Sequence, residues 1–142
     1  MEIETRKSRD TVVEASGGAS GCKVTVLVNM DDNTTENSNI LDVSCLSGHA
    51  NGAKLDSTRI WWQLVQGTAD ENTGHVQIQF KGASSDTTAI QLAGTGHYDG
   101  TAGKITNTAT NTTATSGDLE LTALGTSGSV IIELRKDESF TA

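Results

Sequence analysis

The chain reads as a single-domain, all-β antiparallel β-sandwich of jelly-roll or immunoglobulin-like topology with about eight strands. Three observations predict this. Short runs alternate apolar and polar residues with period two, and turn residues bound each run. Threonine, serine, asparagine and 15 glycines dominate while proline is absent, a composition for pleated strands joined by tight turns. No segment of useful length carries the helical period.

Taken in order, residues 1–10 form a polar N-terminal arm and residues 11–136 the sandwich, with residues 137–142 as a C-terminal tail. Thr11 to Ala15 is a short first strand, and residues 17–21 (GGASG) are a break. Cys22 to Met30 alternates, with Cys22, Val24, Val26, Val28 and Met30 on one face. Asp31 to Asn39 reads as a polar loop, and Ile40 to Ser47 as a strand that groups Leu41, Val43 and Cys45. Gly48 to Ser57 is turn chemistry. Thr58 to Gln66 places Ile60, Trp62 and Leu64 inward and Arg59, Trp61, Gln63 and Val65 outward. Gly67 to Gly74 is a turn. His75 to Lys81 then turns Val76, Ile78 and Phe80 inward, and Thr88 to Ala93 groups Ile90 with Leu92. Gly100 to Gly117 is a long biased loop with a weak strand around Lys104 to Asn107. Asp118 to Leu124 and Ser129 to Lys136 close the series with Leu119, Leu121, Val130, Ile132 and Leu134 inward.

A chain of 142 residues suits one domain whose core needs no metal or disulfide staple. With 35% apolar and 4% aromatic residues, that core is thin, as when two sheets each turn one face inward. A net charge of −8 with 10 basic residues argues against nucleic acid, whose binders cluster Lys and Arg on one face. Here the single local cluster is Arg6, Lys7 and Arg9. No apolar run approaches a membrane span. The opening MEIETRKSRD has no apolar core of a secretory signal, so synthesis and residence in a cytosol are expected. Reduced thiols are then the default for Cys22 and Cys45, and pairing stays open for an oxidised particle.

Catalytic chemistry is not expected. A nucleophile needs a base in reach. Cys45 and His49 are close in sequence, but Cys45 falls on an inward strand face and His49 in a turn. No nucleophile elbow, phosphate loop or zinc helix occurs, and Gly94-Thr95-Gly96 has no helix after it. No cofactor or metal is expected: Cys22, Cys45, His49, His75 and His97 lack zinc-ligand spacing. Asp31, Asp32, Asn33, Glu36, Asp70 and Glu71 lack the EF-hand pattern. The Trp61-Trp62 pair is the most informative local feature. Alternation sends Trp62 into the core and Trp61 outward, where a large ring packs under a loop or meets a partner. Tyr98 is the second aromatic for such a surface.

One run of features has a familiar form: Arg59-Ile60-Trp61-Trp62, the strand Val76 to Phe80, Thr88 to Gly96, Lys104 to Asn107, Ser116 to Leu121, and Ser129 to Lys136. Over residues 57–136 it resembles the small β-sandwich virion structural proteins of tailed bacteriophages, marine cyanophages included, some of which decorate capsids. The resemblance implies a non-enzymatic decoration, or cement, protein on the capsid surface of a virion, made in the host cytoplasm. Its partners would be the major capsid protein and copies of itself, as trimers at local symmetry axes. Partner contacts are then expected from Arg6, Lys7 and Arg9 of the arm and from Trp61 and Tyr98. The competing expectation is a receptor- or carbohydrate-binding module of a tail or fibre, which would use Trp61, Tyr98 and the Thr-rich loop on a glycan.

Overall fold

The computed structural model describes residues 11–14, 21–43, 46–48, 54–66, 75–82, 86–106, 118–137 and 140. They form seven strands: β1 (Thr11–Glu14), β2 (Lys23–Leu41), β3 (Leu55–Gln66), β4 (His75–Phe80), β5 (Thr87–Ala93), β6 (Thr95–Tyr98) and β7 (Leu119–Lys136). Every pairing is antiparallel, and the protein is an all-β sandwich.

Two long strands build both layers. Residues 23–30 of β2 pair with 128–135 of β7, and after a register shift residues 34–41 pair with 119–126. β3 lies on the C-terminal half of β7 and β4 on its N-terminal half. β6 pairs β3 while β5 pairs β4. One layer therefore runs β1, 23–30, 126–136, β3, β6, and the other runs 34–41, 119–124, β4, β5. Number the eight segments after β1 in chain order. The layers then read 1-8-3-6 and 2-7-4-5, which is the double Greek key of a jelly roll. An immunoglobulin order is excluded, because there no strand pair is shared between the two sheets in this way.

The layers are joined by corners, where strands bend from one sheet into the other. β5 runs into β6 through Gly94, at φ +64°, whose carbonyl accepts the Leu64 amide at 2.7 Å. β7 bends between Gly125 and Gly128. At Gly128, with φ +127°, a Cβ would stand 2.0 Å from the Gln63 carbonyl oxygen. Only glycine satisfies both the backbone angle and that approach.

Between the layers Val24, Val26, Val28 and Met30 meet Val130, Ile132 and Leu134. Val76, Ile78, Phe80, Leu92, Leu119 and Leu121 come from the other sheet. These are the inward sets that alternation predicts. The structure departs from the sequence reading at several strand boundaries. Residues 31–39 are strand and not loop, because β7 pairs with Thr34 and with residues 36–39, and a strand needs a ladder more than it needs apolar side chains. The strand expected over Ile40 to Ser47 stops at Leu41: the Asp118 carboxylate takes the Val43 amide at 2.9 Å, and Leu46 N donates to Val43 O. β3 starts at Leu55, inside the expected turn. Asp118 to Leu124 and Ser129 to Lys136 belong to one bent strand.

The far end of the first layer is closed by the chain's last segment. Lys136 is buried, with Nζ donating to the Ser47 carbonyl at 2.8 Å and lying 5.3 Å over the Phe140 ring. Asp137 exchanges bonds with the Lys54 backbone, and Phe140 is buried. The N-terminal arm, residues 1–10, lies outside the described residues.

Candidate functional site

The outer face of the first layer is organised in rows across its strands. Register places Leu27, Ile131, Trp61 and His97 side by side on β2, β7, β3 and β6. One flanking row is Asn29, Ser129, Gln63 and Thr95, and the other contains Thr25, Glu133 and Arg59. Trp61 stands outward because its neighbours Ile60 and Leu64 fill the core, and alternation leaves it no other side. Trp61 is 39% and Ile131 37% exposed. The ring, Ile131 and the polar groups of Gln63, Thr95, His97 and Ser129 line a cleft of about 390 Å³.

Trp62, on the inner side, positions that cleft. As alternation predicts, it packs against the core, but it is only half-buried there, because only the short β6 covers it at the sandwich edge. Its Nε1 donates to the Ala93 carbonyl at 3.0 Å, and its ring lies against Gly96, where a Cβ would come within 2.8 Å of Cζ2. This ties the β5–β6 corner to β3 and so fixes Thr95 and His97 beside Trp61.

Below the cleft is a smaller one of about 240 Å³ lined by Arg59, Asp99, Lys104, Glu133 and Arg135, among others. Its charges are largely balanced internally. Lys104 pairs with Asp56 at 3.0 Å and Arg135 with Glu133 at 3.6 Å, while Glu133 also accepts the Thr58 hydroxyl at 3.1 Å. The hydroxyl and amide of Thr101 hold the Asp99 carboxyl below its ordinary value.

The outer face of the second layer has a different chemistry. Gln77 donates to the Thr88 hydroxyl at 2.6 Å, and Thr122 donates to Gln79 at 3.3 Å. Lys81 and Glu120 approach to 3.6 Å. Burial, and then the nearby Asp86 carboxylate, push the Glu120 carboxyl above its ordinary value.

Of the residues singled out in the sequence, Trp61 is where alternation puts it. Tyr98 is not its companion. Tyr98 pairs with Ile60 and so lies on the opposite face of the sheet, half-buried, with its hydroxyl donating to the Gly103 carbonyl. Arg6, Lys7 and Arg9 lie outside the described residues, as do Cys45 and His49. Cys22 is half-buried just before β2, and its carbonyl accepts the Lys136 amide at 3.0 Å. His75 is half-buried, with its carbonyl taking the Thr126 hydroxyl. Among the described residues no three His, Cys, Asp or Glu side chains gather as metal ligands. The side chains of Asp31, Asp32, Asn33 and Glu36, and all of Asp70 and Glu71, lie outside the description.

Sequence reasoning missed His97, Thr95, Ser129 and Ile131 as parts of one site. Alternation along Ser129 to Lys136 already turns Ile131 outward. Nothing local, however, marks the four residues of β6 between Gly94 and Gly100 as a strand. Fold and site thus define a jelly-roll sandwich with an aromatic cleft on an outer sheet face. No family model, curated protein or solved structure matches the chain.

Proposed function

We propose that the protein is a non-enzymatic virion structural protein of the decoration kind, which binds the outer surface of a phage head and stabilises it. A jelly roll serves viral capsid and lectin domains alike, so the fold by itself does not decide. The observation that carries the reading is β1. This four-residue strand is the last in its sheet and pairs only β2 among the described strands. An edge strand offers unpaired backbone groups to another chain. On its outward side Val13 is 58% exposed, and the segment leading into it carries Arg6, Lys7 and Arg9. That edge is where exposed apolar surface and strand pairing converge. The major capsid protein is the partner this fits, with copies of the chain meeting as trimers around a local axis.

The test is co-sedimentation with phage capsids that lack the protein. The full chain should bind saturably and raise the capsids' resistance to heat. Removing residues 1–10 should lower binding at least about tenfold while the circular dichroism of the domain is unchanged. Binding that ignores the truncation would remove the arm and the β1 edge from the reading. No binding at all would end it.

A further inference from the structure

We infer that the Trp61 cleft is a binding site for a neutral sugar. This goes beyond attachment to a capsid and uses the part of the same sheet nearest its opposite edge, β6. With strands spaced about 4.8 Å apart, β3 and β6 lie roughly 14 and 19 Å from β1, so attachment through β1 leaves the cleft open.

The lining carries the argument. A pyranose presents one face of C–H groups and a rim of hydroxyls. The C–H face packs against an aromatic ring, whose electron-rich face also favours it electrostatically. The hydroxyls need donors and acceptors of both kinds. Trp61 supplies the ring, and Ile131 beside it extends the apolar floor. Gln63 brings an amide with one acceptor and two donors, while Thr95 and Ser129 bring hydroxyls, and His97 has a nitrogen of each kind when neutral. Among the described residues, no carboxylate, ammonium or guanidinium lines the cleft. With a net charge of −8 on the chain, an anionic ligand is opposed and a neutral one is not.

Size points the same way. A cleft of about 390 Å³ is at the small end of small-molecule sites and suits one or two sugar rings. The apolar row Leu27, Ile131 and Trp61 spans only three strands, about 10 Å. A stable protein interface needs roughly 800 Å² from each partner. The rows on either side of this one are polar; in one of them the Ser129 hydroxyl donates to Asn29 at 2.7 Å and keeps its lone pairs as acceptors.

The full chain is titrated with glucose, galactose, mannose and N-acetylglucosamine, each to tens of millimolar, and with glucuronate and sialic acid as anionic probes. Saturation-transfer NMR and tryptophan fluorescence are the readouts. At least one neutral sugar should bind with a dissociation constant of the order of millimolar, with saturation strongest on its ring C–H protons. The anionic probes should not bind. Trp61→Ala should weaken binding at least about tenfold, while Trp61→Phe should hold it within a few-fold. Gln77→Ala, on the other layer, should change nothing. Should Trp61→Ala lose its native near-ultraviolet dichroism, Gln63→Ala carries the test, with about a fivefold loss expected. Capsid binding should be the same in Gln63→Ala as in the unaltered chain, which separates this inference from the decoration reading. No transfer to any neutral sugar overturns the inference. So does binding that persists in a folded Trp61→Ala, or self-association that Trp61→Ala abolishes, which would assign the row to a second copy of the chain.

Discussion

The two layers of the sandwich share two bent strands and one core, yet their outer faces are unlike. The first presents Trp61 and Ile131, with Val13 and Val65 more exposed still at 58% and 59%. The second presents Gln77, Gln79 and Gln91 with threonines, several bonded to one another. Every large apolar side chain exposed among the described residues is on the first face. A face of mutually satisfied amides and hydroxyls gains little by leaving water, because each bond to a partner replaces one already made. A half-exposed indole and isoleucine gain on contact. The same strands, through their two halves, therefore build one outer face of bonded polar groups and one with exposed apolar side chains.

This contrast depends first on the corners. Replacing Gly128 with alanine puts a Cβ against the Gln63 carbonyl in a backbone conformation that alanine rarely adopts, and the expected cost is about 3 kcal/mol. Urea unfolding would measure it, and a loss below about 1 kcal/mol would mean that the bend is not fixed by this contact. Next in size is Trp62→Ala, which removes the bond to Ala93 and the packing over Gly96, at about 2 kcal/mol. Hydrogen exchange would sharpen the comparison, since β6 should lose protection while β4 and β5 keep theirs. Equal loss in both layers would show that the edge and the core respond as one unit.

The smallest effects concern two carboxylates of opposite sign. Glu120, on the hydrated face, is held above its ordinary value of 4.5 by burial and then by Asp86. Its charge thus costs stability above its raised folded value, and the cost disappears below 4.5. Glu120→Gln should raise the melting temperature modestly at pH 7, and the advantage should vanish at pH 4. Asp99, below the cleft, is held under its ordinary value of 3.8 by Thr101. Its contribution is present above 3.8 and fades as pH falls through the lower folded value. Asp99→Asn should lower the melting temperature slightly at neutral pH and not at all in strong acid. The same sign for both variants at pH 7 would contradict this account.

Much of the fold was legible in the chain. Wherever apolar residues recurred at every second position, as in Val24 to Met30 or Val76 to Phe80, the inward set was readable from that alternation alone. Trp61 was legible as outward for the same reason. Residues 31–39 were not legible as strand, because their partners are about 80 to 90 positions away in β7, and nothing in a polar window reports a distant ladder. Tyr98 was misplaced beside Trp61 because β6 was not recognised. Once Gly96 is known to pair with Trp62, the opposite orientation of Tyr98 follows.

The sequence by itself determined the class of the protein: alternation of period two, a surplus of turn formers and no helical period admit only an all-β sandwich. It also determined which side of each recognised strand is apolar, since that property belongs to single residues and their neighbours. The tertiary structure decided the jelly-roll order, the corners at Gly94 and Gly128, and the meeting of Trp61 with Ile131 and His97. Those depend on which strands pair and in what register. Pairing is settled by backbone bonds and core packing among segments far apart in the chain, which no local pattern records.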